Sequence, residues 1–129
     1  MNNLEIIKST YVGTAEENAG HLASCLAENA AWTEAKGFPY AGTYVGFDAI
    51  AANVFKRLAT EWIDYKVTIE DFVADDDKVV AYGTYSGTYK LTNRYFEARV
   101  VHLWKLKGGK VVSMEQFVDS QMVNNAIYG

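Results

Sequence analysis

The sequence has one cysteine, one proline and two histidines in 129 residues. A lone cysteine excludes an intrachain disulfide, and no Cys/His spacing typical of a zinc site surrounds Cys25. We interpret Cys25 as a small core residue in a protein from a reducing compartment, and we expect a cytoplasmic location.

Long apolar runs and basic clusters are also missing. No apolar window approaches the roughly 18 residues of a membrane span, and MNNLEIIKSTYVG has neither the basic region nor the apolar run of a secretory signal. A net charge of −4 without a Lys/Arg cluster argues against nucleic-acid binding, because contacts to phosphates need a basic face. The sequence therefore predicts a soluble protein that binds neither membranes nor nucleic acid.

Motifs for metals and cofactors are absent as well. No GxSxG, HExxH, P-loop or dinucleotide fingerprint occurs, and the acidic run 75–77 lies in a predicted hairpin turn. We expect no metal and no cofactor. What is present is 50% apolar and 14% aromatic residues, with nine tyrosines. This composition is typical of one globular domain, which we assign to residues 1–129.

Helical periodicity dominates the first half. Asn2 begins a capping-box pattern and predicts a first helix over 2–20, followed by a short helix over 22–28. Asp48 is a good N-cap for a third helix that ends near residue 62.

Strand-forming residues dominate the second half. Four segments rich in Val, Tyr, Phe and Thr are separated by turn sequences. They predict an antiparallel meander after two short strands; the six segments are 30–35, 40–45, 65–74, 78–90, 94–107 and 110–119. Three helices followed by a meander indicate an α+β fold in which a strongly curved sheet wraps the helices around a cavity.

Two polar side chains interrupt apolar rows of the predicted sheet. Alternation places His102 in a row with Phe96, Ala98, Val100, Trp104 and Leu106. It places Gln116 in a row with Val112, Met114 and Val118. A histidine in such a row can act as acid, base or neutral donor, because its unperturbed pKa lies near neutrality. The alternative is a core histidine satisfied by a backbone carbonyl or by the glutamine.

Other candidates lie at element ends and beside glycines. Glu34 ends a predicted strand, where a carboxylate at a cavity mouth can stay partly desolvated; ordinary surface exposure is the alternative. Gly83 and Gly87 leave room beside Tyr85 for another group to approach. Asp119 is ambiguous, because only a bulge or the strand end would turn it toward the face of the glutamine.

Three segments together carry a family resemblance. AAWTEAKGFPYAGTYVGFDAI, GTYSGTY and FEARVVHLWKLKGGKVVSMEQFVD, in this order and spacing, resemble the SnoaL-like polyketide cyclase branch of the ketosteroid isomerase and nuclear-transport-factor-2-like superfamily. The resemblance covers nearly the whole chain. It implies a cystatin-like cone with three N-terminal helices packed against a strongly curved, mostly antiparallel sheet, an apolar pocket inside, and a homodimer formed through the outer sheet face.

The same resemblance implies site residues. On the isomerase pattern, Tyr11 falls on the oxyanion-hole tyrosine, Glu34 on the carboxylate that moves a proton, and His102 on a protonated aspartate. We predict these three as catalytic residues. The predicted ligand-binding set is Trp32, Phe55, Tyr85, Val100, Trp104, Met114, Gln116 and Val118.

Two related patterns do not match. The arginine and aspartate that hold the catalytic water of limonene epoxide hydrolase fall on Gly83 and Tyr85, and its second aspartate falls on Gln116. If the aspartate base of the polyketide cyclases occupies that same position, Gln116 cannot do its work.

The leading hypothesis is a pocket protein for a small, largely apolar, carbonyl-containing molecule, with isomerase or lyase (cyclase) activity by proton transfer: isomerisation, aldol cyclisation or dehydration. A non-catalytic ligand-binding module and a dimeric interaction adapter with a vestigial pocket stay open. A cavity lined by both Glu34 and His102 favours enzyme or binder, whereas a filled cone with His102 bonded to backbone favours the adapter.

Overall fold

One six-stranded sheet forms the frame of the protein in the computed structural model, which describes residues 1–129. The helices are α1 (Asn3–Ser9), α2 (Ala15–Cys25), α3 (Phe47–Ile50), a π-helical segment (Ala51–Phe55), α4 (Lys56–Glu61) and α5 (Ser120–Tyr128). The strands are β1 (Leu26–Glu34), β2 (Gly42–Val45), β3 (Trp62–Asp75), β4 (Lys78–Tyr89), β5 (Arg94–Lys107) and β6 (Lys110–Val118). None of the helices is long and apolar enough to cross a membrane.

The sheet is mixed but mostly antiparallel, with the strand order β2-β1-β6-β5-β4-β3. Strands β3 to β6 form the predicted antiparallel meander. Strand β1 pairs in parallel with β6 and carries β2 on its other edge. The predicted α+β fold with a curved, mostly antiparallel sheet is confirmed.

The predicted first helix is wrong in its extent, because a second helix start interrupts it. Thr14 and Glu17 form a capping box in which the Thr14 side chain accepts from the Glu17 N–H and the Glu17 carboxylate accepts from the Thr14 N–H. Gly13 precedes it with a φ of +97°, a conformation that suits glycine. Gly20 therefore lies inside α2, and β1 begins directly after Cys25.

A C-terminal helix that the sequence reading missed explains Asp119. This residue is the N-cap of α5, and its exposed side chain accepts a hydrogen bond from the Met122 N–H. Helix α5 buries Val123 and Ala126 against an aromatic cluster that includes Phe96. Asp119 thus starts a helix and does not turn toward the concave face.

The space beside Gly83 is filled by the protein itself. A Cβ atom at this position would lie 1.9 Å from the backbone oxygen of Thr68, and one at Gly87 would lie 3.2 Å from Cα of Tyr65. The group that approaches these glycines is therefore the backbone of β3. The pairing of β3 with β4 contains two register shifts. The two glycines allow the sheet to bend at this strand pair.

A register shift also alters the predicted apolar row of β6. The pairing with β5 shifts between Lys105 and Leu106, which turns Val111 inward and leaves Val112 37% exposed. The row in β5 is as predicted, since its even-numbered side chains from Phe96 to Leu106 are buried. These inward rows form one wall of the interior.

Candidate functional site

A cavity of about 350 Å³ lies inside the curved sheet, between the sheet and the helices. This volume is within the range typical of small-molecule sites. The predicted catalytic residues Tyr11, Glu34 and His102 all line it. Four members of the predicted ligand-binding set line it as well: Trp32, Phe55, Tyr85 and Trp104. An adjoining cleft of about 380 Å³ shares Asn18, Leu22, Leu58 and other lining residues with it.

The other four members of the predicted set lie outside the cavity lining. Met114 is 1% exposed and packs in the core between β1 and β5, opposite Trp104. Val100 and Val118 pack at the other end of the sheet with the cluster that α5 covers. Gln116 is 2% exposed, and its amide contacts protein groups on both sides. All four side chains lie on the sheet face that also lines the cavity. Val100 and Val118 lie farther along the strands than the cavity extends, and Met114 and Gln116 are covered by other side chains.

A chain of hydrogen bonds crosses the wall that β4 and β5 contribute. Nδ1 of His102 lies 2.6 Å from the Tyr11 hydroxyl, and Nε2 lies 2.6 Å from the Tyr85 hydroxyl. The indole N–H of Trp104 donates to the Tyr11 oxygen at 2.9 Å. The amide of Gln116 donates to the Tyr85 oxygen at 2.9 Å. We call this chain of five side chains the relay.

The orientation of the relay's outer donors is determined. An indole nitrogen can only donate. The Gln116 amide oxygen accepts from the Ala35 N–H at 2.9 Å, so its NH₂ group must face Tyr85. Both tyrosine oxygens therefore already accept one hydrogen from outside the histidine.

Burial keeps the relay uncharged at neutral pH. It lowers the pKa of His102 to about 4, because no carboxylate contacts the ring to stabilise the charged form. Burial also raises the pKa of Tyr11 and Tyr85 above their usual value. The tyrosines are therefore neutral donors, and both ring nitrogens of His102 are occupied by them.

Glu34 ends β1 and lines the same cavity. It is 4% exposed, and burial raises the pKa of its carboxyl group to about 7. The Trp32 indole is near enough to oppose this rise slightly, yet the Trp32 N–H and Glu34 Oε2 have no hydrogen-bond partner within the protein. A carboxyl group with this pKa exchanges its proton readily near neutral pH.

All the buried side-chain polar atoms without a hydrogen-bond partner belong to residues that line this cavity. They are Asn18 Oδ1, Trp32 Nε1, Glu34 Oε2 and the Tyr65 hydroxyl. Native proteins rarely leave such atoms unpaired, so their concentration at one cavity indicates groups that water or a bound molecule would satisfy. No three His, Cys, Asp or Glu side chains converge to hold a metal ion.

Asn18 and Tyr65 were not among the predicted site residues. Asn18 lies one helical turn before Leu22, so it is a polar residue on the apolar face of α2. Tyr65 lies in β3 on the same inward face as Val67 and Ile69. A polar group on an apolar face, the signal that marked His102, was available for Asn18.

Comparison with known proteins identifies the family of this chain. A family model described as the SnoaL-like domain matches residues 9–114. The chain belongs to the SnoaL-like domain family. An NTF2-like protein from Burkholderia thailandensis is 38% identical, with a TM-score of 0.92 over 97% of this chain and 96% of that one. The predicted family is thus confirmed.

More distant structures share the fold alone. TerC, co-crystallised with polyporic acid, is 22% identical, with a TM-score of 0.85 over 98% of both chains. A protein with a ketosteroid isomerase-like fold from Catenulispora acidiphila, in complex with trimethylamine, is 19% identical, with a TM-score of 0.77 over 97% of this chain and 93% of that one. A search among curated proteins finds no match to this SnoaL-like domain.

Proposed function

We propose that this SnoaL-like domain binds a small, largely apolar molecule with a carbonyl group, and that Glu34 moves a proton at a carbon next to that carbonyl. The observation that carries the proposal is the combination within one cavity of an unpaired, buried carboxyl group and neutral tyrosine hydroxyls.

The proposed reaction starts with the ionised Glu34. Its carboxylate takes a proton from the carbon next to the carbonyl, and the electron pair of the C–H bond moves onto the carbonyl oxygen. A tyrosine hydroxyl of the relay donates a hydrogen bond to that oxygen as negative charge develops. In a substrate with a C=C bond next to the deprotonated carbon, return of the proton from Glu34 to the far carbon of that bond re-forms the carbonyl and completes an isomerisation. In a substrate with a second carbonyl group, the enolate carbon attacks that carbonyl carbon, and the proton on Glu34 passes to the new alkoxide oxygen, which completes an aldol cyclisation.

The electrostatics support Glu34 as the proton carrier. A general base works best when its pKa is close to the ambient pH, and burial brings the pKa of Glu34 to about 7. In this proposal His102 does not touch the substrate oxygen, although the sequence predicted it as a donor. Its two nitrogens hold Tyr11 and Tyr85, so it is a positioning residue.

The three candidate functions, an enzyme, a binding module and an interaction adapter, do not fit the structure equally well. His102 is bonded to side chains and the cone contains a cavity, which favours an enzyme or a binding module over an adapter with a vestigial pocket. Two proteins of the same fold were crystallised with small molecules, polyporic acid and trimethylamine. The choice between enzyme and binding module depends on proton transfer.

Hydrogen–deuterium exchange tests proton transfer without knowledge of the natural substrate. 2-Tetralone has acidic C–H bonds beside its carbonyl, and NMR in D₂O measures how fast they exchange. We expect the protein to accelerate this exchange and Glu34→Gln to reduce the acceleration by roughly a hundredfold or more. Glu115→Gln, at an exposed position of β6, is the matched control and should have no effect. Exchange no faster than in buffer, or equal in Glu34→Gln, would contradict the proposal.

Homodimer formation stays a prediction. The outer face of the sheet carries Tyr95 and Phe117, which are 62% and 48% exposed, and Val101 pairs directly opposite Phe117. Burial of these side chains in a two-fold contact would remove apolar surface from water. Light scattering checks this prediction. We expect the wild type to be a dimer and Phe117→Lys to be a monomer. A monomeric wild type would contradict the prediction.

A further inference from the structure

The relay contains a fixed number of hydrogens. Trp104 and Gln116 each donate to one tyrosine oxygen, so neither can supply a hydrogen to the histidine contacts. The two contacts of His102 each need one hydrogen. A neutral imidazole has one N–H and one lone pair, and each tyrosine has one O–H. Three hydrogens are therefore available for two contacts, and one is left over.

The leftover hydrogen belongs to a tyrosine. When the ring hydrogen is on Nδ1, it is donated to Tyr11, while Tyr85 donates to Nε2; the Tyr11 O–H is then free. When the ring hydrogen is on Nε2, the roles reverse and the Tyr85 O–H is free. Both tyrosines line the cavity, and neither hydroxyl has another acceptor within the protein.

We propose that the tautomer of His102 selects which tyrosine donates to a ligand, so that the relay offers one hydroxyl hydrogen to the cavity, at either of two positions. The tyrosine that is not selected cannot donate, because its hydrogen is held by the histidine. The relay therefore suits ligands with one acceptor oxygen on this side, and accepts that oxygen beside Tyr11 or beside Tyr85. Its use in stabilising an enolate rests on the proposed function; the hydrogen count does not.

The position of the ring hydrogen is measurable by nitrogen NMR of His102 at pH 7. The exposed His21 is the only other histidine and serves as an internal reference. In Tyr11→Phe, Nδ1 loses its partner, and a buried N–H without an acceptor is less favourable than an unused lone pair. We expect the ring hydrogen on Nε2 in Tyr11→Phe and on Nδ1 in Tyr85→Phe. The same tautomer in both variants would overturn the proposal.

Two further measurements test the proposal even if one of the tyrosine variants does not fold. In the wild type we expect one protonated and one unprotonated ring nitrogen at pH 7, and two protonated nitrogens would overturn the proposal. In Gln116→Leu the Tyr85 oxygen loses its outer donor, so we expect the ring hydrogen to move toward Nε2. A shift toward Nδ1 would contradict the selection mechanism.

The exchange assay gives the functional consequence. Each single Tyr→Phe variant keeps one free tyrosine hydroxyl, so the rate should fall by less than about tenfold, whereas the double variant keeps no tyrosine hydroxyl and should lose roughly a hundredfold or more. If the fold reductions of the two single variants multiply to the fold reduction of the double variant, both tyrosines donate independently, and the selection mechanism is contradicted. The NMR result does not require a substrate, so failure of the relay and failure of proton transfer by Glu34 are distinguishable.

Discussion

Two groups of polar side chains in the cavity wall are built in opposite ways. The relay group, Tyr11, Tyr85 and His102, has a partner for its hydroxyl oxygens and ring nitrogens. The unpaired group, Asn18, Trp32, Glu34 and Tyr65, has four buried polar atoms without one. A fully satisfied buried network is rigid, whereas an unsatisfied one lowers stability. In the proposed function, the relay group is organised before a ligand binds, and the ligand supplies partners to the unpaired group.

The largest difference between the two groups should be in the pH dependence of stability. Glu34 has a pKa of about 7 in the folded protein against 4.5 for the free group, so its ionisation opposes folding and stability falls as pH rises from about 4.5 to 7. His102 has a pKa of about 4 in the folded protein against 6.5, so stability falls as pH drops from about 6.5 to 4. Each shift corresponds to about 3 kcal/mol, with opposite sign.

Single variants separate these two contributions, which nearly cancel between about pH 4.5 and 6.5. We expect the stability of Glu34→Gln to rise with pH across this range, because only the His102 contribution remains. For His102→Gln we expect it to fall with pH. Urea unfolding at several pH values measures both slopes; equal slopes in the two variants would refute the assignment of the two charges.

A smaller effect is expected from the loss of one hydroxyl in the relay group. Tyr85→Phe leaves the Gln116 amide and one nitrogen of His102 with a lost partner in a buried site. We expect a destabilisation of about 1–3 kcal/mol, measured as a lower urea midpoint with an unchanged slope. A change near zero would mean that the relay is not formed in solution.

The smallest effect is expected from the matched substitution in the unpaired group. Tyr65→Phe is the same chemical change as Tyr85→Phe, but it removes a hydroxyl that has no partner within the protein. Its stability should stay within about 1 kcal/mol of the wild type or rise, because an unsatisfied polar atom is removed. A loss as large as that of Tyr85→Phe would abolish the distinction between the two groups.

The sequence predicted the fold and family better than the site contacts. Alternation in β5 identified the face of His102, and the same reasoning identified the face of Gln116, because both depend on the local two-residue period of a strand. The partner of His102 could not be inferred in this way. The hydroxyl of Tyr11 reaches it from a position 91 residues away, in the turn after α1.

A common physical reason explains why some predicted ligand-binding residues lie outside the cavity lining. Sharing a sheet face does not determine how far along the strand a cavity extends, and Val100 and Val118 lie at the end that α5 covers. The sequence pattern had not predicted this short C-terminal helix. Bending of β3 over the two glycines was likewise a tertiary effect, since the contact is made with the backbone of Thr68.

The pH dependence of 2-tetralone exchange in the wild-type protein tests the central claim most directly. Only the ionised carboxylate of Glu34 can take a proton, and burial holds its pKa near 7. We expect the protein-catalysed rate to rise with pH and to level off above an inflection near pH 7. An inflection near the ordinary carboxyl pKa, or a rate that does not change between pH 5 and pH 9, would contradict the role of the buried Glu34 as the base.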